Sequence, residues 1–354
     1  MDLPDPLENE LRRRILGGTY PAGSRLPSRR TLQNELATHS RALQTAFDQL
    51  IEQGFIEPRG SQGSFVARVL PHQSSIALVF ACTPQATPWN RFWSALEHAA
   101  ETPFTIPADE LGQGGAVHVQ RHYLDLFKQG EAYEHLVANV TGQALAGIIF
   151  ASQPYFLPPS SPLLTIPLPR VCITSLPLVD SPYGASLFES SYQDTFAPLL
   201  QRFHDRGRRR LAVISYVHFN RDHLLPLVRA AGIDTQPQWW HALPTDGEGA
   251  LSARTIAHLL GTLPARQRPD CLLITDDQLV QPATQGILDA RLTPGIDLDI
   301  AAHANFPLVT HAAAPCLRYG LDAHVVLRTC VDEIRRLAGG AAVRQMVMPL
   351  SIDP

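Results

Sequence analysis

An α/β protein is what this sequence predicts: a small helical head closed by a β-hairpin, followed by two doubly wound lobes. Three observations predict it. Helix-turn patterning with a hairpin signal fills the first 70 residues. Beyond residue 75, short apolar runs recur with amphipathic segments of helix length between most of them. Continuous apolar strands interleaved with helices mark a mostly parallel sheet covered on both faces. The stretch behind the head, about 280 residues, is long for one such sheet, so two lobes with a cleft are expected.

Composition narrows the function classes. The chain has 354 residues, 45% hydrophobic and 18% charged, with a formal net charge of −4. Those are the proportions of a soluble globular protein. A slightly acidic whole excludes an unfocused nucleic-acid coat but leaves room for one localised basic site. The start, "MDLPDPLENELRRR", is acidic and has no apolar segment of the kind a signal peptide needs. No run of about 18 apolar residues could span a bilayer. The five cysteines (Cys82, Cys172, Cys271, Cys316, Cys330) are scattered, odd in number and never spaced C-x-x-C. They read as small buried residues in a reducing compartment, so a cytoplasmic location without membrane contact is expected.

The head comes first in the chain. Leu7, Leu11 and Ile15 recur at spacing four and mark one face of a helix ending at Gly17-Gly18. "TYPAGSRLP" is a Pro/Gly loop. Ser28 can cap the next helix, in which Leu32 and Leu36 supply the buried stripe. After a break around "ATHS", a third helix turns Leu43, Ala46, Phe47 and Leu50 inward and Arg41, Gln44, Thr45 and Asp48 outward. "GFIEPRGSQGSFVAR" reads as two short strands around a turn. Three helices and a hairpin in this order describe a winged helix-turn-helix, with the third helix in the major groove and its polar face toward base edges.

That arrangement gives a role to "RLPSRR", residues 25–30, where three arginines stand in an acidic protein. A serine hydroxyl, free helix N–H groups and two guanidinium forks favour phosphate. The stretch "GTYPAGSRLPSRRTLQNELATHSRALQTAFDQLIEQGFIEPRGSQGSFV" resembles the GntR-type winged helix-turn-helix over its full length. The resemblance implies binding to double-stranded DNA through Arg25, Ser28, Arg29, Arg30, His39, Ser40, Arg41, Gln44, Thr45 and Gly63. Ser28 and Arg29 would contact phosphate, and the wing near Gly63 would reach the minor groove. The sequence departs from that family at His39-Ser40, where Ser-Arg is usual, and at Gln44, often arginine. DNA binding carries over; base preference does not.

Residues 1–69 are therefore the expected head, 70–75 a polar linker, and 76–354 a two-lobed effector-binding and dimerisation domain. In the latter, "IALVFA", "GIIFAS", "RVCITS", "LAVIS", "CLLIT" and "DIAAHA" are strand-like. "NRFWSALEHAAE", "YQDTFAPLLQRFHDRG" and "DQLVQPATQGILDA" are helical. Ligands of such sheets bind beyond the carboxyl ends of the strands. This selects the loops 82–92, 152–156, 215–221, 275–278 and 303–306. Trp89, Asn90, Phe92, Tyr155, Asn220, Arg221, Asp276, His303 and Asn305 are the candidate effector contacts there. Aromatic faces stack on the C–H surfaces of a polyhydroxylated ligand while planar polar groups bond its hydroxyls. The same residue types also serve as helix caps and core, Asp276-Asp277 as a cap in particular.

"RRRLAVIS", the run from "RPDCLLITDD" to "HANFP" and the closing "YGLDAHVVLRTCVDEIRRLAGG" resemble the LacI/GalR-type effector domain, a periplasmic-binding-protein-like fold. The resemblance covers roughly residues 75–350 and is strongest from 207 onward. It implies a homodimeric regulator, a repressor controlled by a sugar or related small polar metabolite, with no cofactor. An aspartate that grips effector in that family falls on Ala304 here, beside Asn305. Another falls near Ser191.

An enzyme is the alternative, since heads of this type also occur fused to pyridoxal-phosphate aminotransferase-like domains. That chemistry needs a Schiff-base lysine. The only lysine, Lys128, lies in an amphipathic stretch rather than a strand-end loop. His118 and His122 stand four apart, as two metal ligands on a helix would, but no third ligand follows at a useful spacing.

Overall fold

The computed structural model describes residues 6–86, 89–106, 115–125, 130–174, 183–188, 191–348 and 350–353. Lys128 lies outside them. The head contains α1 (Pro6–Leu16), α2 (Arg29–Glu35) and α3 (Ser40–Glu52). Its wing is an antiparallel pair, β1 (Ile56–Pro58) and β2 (Ser64–Val66). Leu11, Ile15, Leu32, Leu43, Phe47 and Leu50, from the stripes that the spacing of apolar residues implied, form its core together with Phe55. Leu36 packs at the edge of that core, partly buried, because the helix ends there.

The chain divides into two compact units. Unit 1 contains the head together with Ala100–Leu187 and Leu327–Met346. Residues 70–75, read from sequence as a polar linker, form the helical turn α4 (Pro71–Ser74), which runs straight into β3 (Ser75–Phe80). Leu70, Pro71, Ser74 and Ser75 are buried. Composition alone made this segment look like a spacer, because a short helix seated by its neighbours carries little apolar signal of its own.

Behind α4, unit 1 builds a seven-stranded sheet from β3, β4 (Phe104–Ile106), β5 (Gly115–Tyr123), β6 (Gly147–Phe150), β7 (Arg170–Thr174), β8 (Ala185–Phe188) and β14 (Gln345–Val347). The order across it is β14-β8-β7-β6-β3-β5-β4. β5, β3, β6 and β7 pair in parallel. Ile76, Leu78, Ile148, Ile149 and Val171 are fully buried or nearly so, as strands covered on both faces must be. The helices of this unit include α6 (Glu131–Thr141), α7 (Pro162–Thr165) and most of α12 (Ala323–Ala338).

Unit 2 comprises Asn90–Ala99, Phe188–Val326 and Val347–Pro354. Its six-stranded sheet has the order β10-β9-β11-β12-β13-β15. The strands are β9 (Leu211–Tyr216), β10 (Trp240–Leu243), β11 (Cys271–Ile274), β12 (Asp299–Phe306), β13 (Leu317–Asp322) and β15 (Leu350–Asp353). All pair in parallel except β15. The helices are α5 (Arg91–Ala99), α8 (Tyr192–Asp205), α9 (Arg221–Ala230), α10 (Gly247–Thr262) and α11 (Val280–Asp289).

Numbered by appearance among themselves, β5-β3-β6-β7-β8 and β10-β9-β11-β12-β13 both run 2-1-3-4-5. This is a doubly wound order, and its switch point lies between the first and third strands. The switch falls between β3 and β6 in unit 1 and between β9 and β11 in unit 2.

His118 and His122 lie on the strand β5, not on a helix. "AVHVQRHY" alternates apolar and polar residues, and β5 buries Val117 and Val119 while leaving His118 exposed. His122 packs near His135, with ring centroids 6.5 Å apart. Burial, helped by that second imidazole, pushes its pKa down to about 4. Among the described residues no group of three or more metal-binding side chains gathers, and no helix is long and apolar enough to cross a membrane.

Candidate nucleic-acid interface and effector site

Local chemistry fixes the head's outer face. The Ser28 hydroxyl accepts from Thr31 N at 3.1 Å and caps α2, satisfying one of the free donors at that helix start. At α3 the cap is His39, whose Nδ1 accepts from Ala42 N at 3.2 Å, with Ser40 opening the helix behind it. Arg41, Gln44, Thr45 and Asp48 line the exposed flank of α3. Gln44 donates to Asp48 at 2.7 Å, so its amide is held along the helix rather than swinging free.

The two guanidinium forks expected at Arg29-Arg30 divide. Arg29 stacks on Phe47, 3.3 Å from the ring centroid, and reaches Leu43 O at 3.4 Å. Burial lowers its pKa, and its packing ties α2 to α3. Arg30 and Arg25 are exposed. Arg25 lies along the wing turn: a Cβ on Gly63, whose φ is +100°, would sit 3.1 Å from the Arg25 Nε. A glycine there therefore serves both the turn and the arginine beside it. Arg59, over the Phe65 ring at 4.4 Å, adds a second wing cation that the sequence reading did not select.

At the switch point of unit 2, Tyr216 ends β9 and Arg221 begins α9. Asn220 caps that helix, accepting from Asp222 N at 3.0 Å, while its own N–H donates to the Tyr192 hydroxyl at 2.9 Å. Tyr192, Phe196, Phe219 and His223 form an aromatic cluster around this turn. The Arg221 guanidinium lies 5.0 Å from the Trp240 ring centroid. Across the switch point Asp276 follows β11 and accepts from Gln278 N at 2.9 Å. Burial pushes its pKa up to about 6, and the neighbouring Asp277 adds to the rise. The bond from Gln278 and the charge of Arg91 oppose it.

Asn305 and His303 sit deeper than the sequence reading placed them. Asn305 is only 4% exposed; its Nδ2 donates to Asp277 Oδ2 at 3.0 Å, and Thr310 reaches the same oxygen at 3.3 Å. His303 stands edge-on to Tyr319 with centroids 5.7 Å apart, and burial lowers its pKa. Asn305 belongs to a buried network joining β12 to the turn after β11, while His303, half-buried, packs against Tyr319 of β13. Strand-end position suggested ligand contact; the burial of Asn305 near the end of β12 is not readable from spacing. Asp277, the hub of this network, looked interchangeable with Asp276 in the sequence.

In unit 1 the loop after β3 carries Trp89, whose ring lies 5.0 Å from Phe80 and 6.1 Å from Tyr123. Tyr155, after β6, is exposed and meets only the edge of Phe156 among the ring contacts described. Asn90 and Phe92 fall in unit 2, where Asn90 caps α5 by accepting from Trp93 N at 2.8 Å and Phe92 is half-buried.

Residues 5–66 match the family model described as bacterial regulatory proteins, gntR family. The HTH-type transcriptional regulator Rv1152 of Mycobacterium tuberculosis is 30% identical over 76 residues, covering 20% of this chain. The match spans 63% of that relative's length. A LacI family transcriptional regulator from Lactobacillus casei, solved with bound sucrose, is similar in structure with a TM-score of 0.51 and 17% identity. That match covers 79% of this chain and 98% of the other. The Lac repressor bound to ONPG in its repressed state gives 0.51 at 16% identity, covering 90% of each chain. The N-terminal segment is thus a helix-turn-helix domain of the gntR type, and the chain behind it has the fold of LacI-family regulators.

Proposed function

We propose that this protein is a ligand-responsive transcriptional regulator that binds double-stranded DNA through its head and a small polar metabolite through its lobes. The observation that carries the reading is the exposed polar flank of α3, in a head that also exposes Arg30 and sets Arg25 along the wing turn, near Arg59 in its pair with Glu57. A helix able to bond base edges beside cations able to hold phosphate is what sequence-selective DNA binding requires. Arg30, Arg25 and Arg41 serve phosphate and groove contact, and Gln44 and Thr45 serve the bases. Ser28, Arg29, His39 and Gly63 hold the shapes that present them.

The effector reading rests on the two switch points. Asp276, Asn220 and Arg221 offer charged and planar polar groups in unit 2, and Trp89 and Tyr155 offer ring faces in unit 1. A sugar or a related polar metabolite suits either set, and a LacI family regulator from Lactobacillus casei with the same fold has been solved with bound sucrose and with bound glucose. Ligand shifts DNA affinity by its differential affinity for two conformations, and repression is the outcome we favour. We place the protein in the cytoplasm, and pairing of two copies is supported by Leu251 and Leu259 on α10, which are 69% and 58% exposed. A two-fold operator would follow from such a dimer.

The test has two arms. In-vitro selection from random duplexes should return a two-fold motif whose binding weakens steeply with salt. A thermal-shift screen of monosaccharides, sugar acids and nucleosides should return a stabilising ligand. Recovery of no DNA motif would remove the regulator reading, whatever the screen finds.

A further inference from the structure

The ion pair between Arg12 and Glu8 on α1 is buried, with 5% and 3% of each residue exposed. Gln53, just past the end of α3, braces it: its Nε2 donates to Glu8 Oε1 at 3.0 Å and its Oε1 accepts from Arg12 at 2.7 Å. By contrast, Arg13 on the same helix projects into solvent from its pair with Glu10. Part of what covers Arg12 lies outside the head. At Gly142, which caps the end of α6, an added Cβ would sit 2.9 Å from the Arg12 guanidinium. Ala144, two residues on, is buried within the head's own hydrophobic core. The cation therefore rests at the carboxyl end of α6, where the last carbonyls carry partial negative charge.

The connection between head and lobe is equally closed. Pro71 packs 3.6 Å from where a Cβ on Gly54 would stand, and Ala146 N donates to Ser75 O at 2.6 Å. The head thus leaves no slack between its last strand and β3. Charged groups are stable out of water only when paired and bonded, so the Arg12–Glu8 pair is settled in this docked arrangement. A polar cavity of about 410 Å³ opens on the same seam, lined by Glu8, Arg12, Gln53 and Ala144 together with Glu52 and His135.

From this we infer that the Arg12 cradle at Gly142 and Ala144 locks the head onto the rest of unit 1, so that the two move as one rigid body. The DNA-reading face then moves when unit 1 moves, with no flexible tether between them. The regulatory meaning rests on the function proposed above; the lock itself does not.

Trypsin offers a direct test, because Arg68 is exposed between the wing and α4. Cleavage there needs local opening of the segment, so its rate follows how firmly the head is held. Ala144→Glu would force a carboxylate into the seam beside Glu8 and Glu52. We expect it to release the 1–68 fragment at least roughly tenfold faster than wild type. Hydrogen exchange should speed up in α1 while β3 and β6 keep their protection. Arg12→Ala, made in parallel, leaves both lobes untouched and should act in the same direction. Equal release from wild type and both variants, or a wild-type head tumbling independently by 15N relaxation, overturns the lock. None of these readouts involves DNA. Failure of the wild type to bind any duplex would count against the regulator reading alone.

Discussion

The loops beside β3 in unit 1 carry Trp89 tilted against Phe80 and Tyr123, with an exposed Tyr155 after β6. The loops beside β9 in unit 2 carry Asn220, Arg221 and a half-buried Asp276. The backbone plan is the same, since five strands of each sheet run 2-1-3-4-5 and both switch points open at strand ends. The side chains are not. Unit 1 presents ring faces that already have partners, whereas unit 2 presents a carboxylate whose charge its surroundings disfavour. Topology makes the place and side chains set the chemistry, so the polar selectivity of a ligand should reside in unit 2.

The largest expected effect tests the unsettled carboxylate. Burial holds the Asp276 carboxyl at a pKa of about 6, well above the ordinary range of an aspartate. The folded protein therefore holds that proton more tightly than the unfolded chain. Between the two values the native state binds more protons, so this group's contribution to stability falls as pH rises through that window. Asp276→Asn keeps an acceptor for Gln278 N and removes the charge. It should stabilise the protein at pH 8, by up to about 3 kcal/mol, and have little effect near pH 4. Thermal melts across that range would show it. A stabilisation independent of pH would mean the carboxylate is not the unsettled element.

Next in size is ligand affinity. Asp276→Ala should weaken binding of the identified ligand by about 1–3 kcal/mol, because a desolvated partner is left unpaired. Operator affinity without ligand should stay unchanged. Calorimetry and a gel-shift assay separate the two, and full ligand affinity in the variant would move selectivity away from unit 2. Trp89→Leu should cost less, about 0.5–1.5 kcal/mol of ligand binding, and without pH dependence. A larger loss there than at Asp276 would reverse the ranking of the two lobes.

The smallest effects concern the head. Arg30→Ala should lower the salt slope of DNA binding by about one, uniformly across sequences. Arg29→Ala should instead lower the head's melting temperature, because its guanidinium is stacked on Phe47. A drop in salt slope from Arg29→Ala with no loss of stability would return Arg29 to the phosphate contacts.

The head was legible in the sequence because its signals are local. Apolar spacing, Ser28 as a cap and the Gly-rich wing act over a few residues, and each recurs where expected. The strands β3, β6, β7, β9, β11 and β12 were legible for the same reason, as continuous apolar runs. β5 was not, since an alternating stretch with two histidines fits a strand or a helix equally. Depth was the other blind spot. Asn305 and Asp276 both lie near strand ends, yet Asn305 is tied to Asp277 inside while Asp276 is only half-buried. Arg29 and Arg30 are adjacent and identical in kind, and only the position of Phe47 separates their roles.

The most direct measurement is the affinity for a selected operator duplex at fixed salt, by fluorescence anisotropy, with and without the ligand found by thermal shift. A ligand-linked change of at least about fivefold is predicted, absent in Asp276→Ala. A ligand that binds the wild-type protein tightly and leaves its operator affinity unchanged would contradict the proposed function.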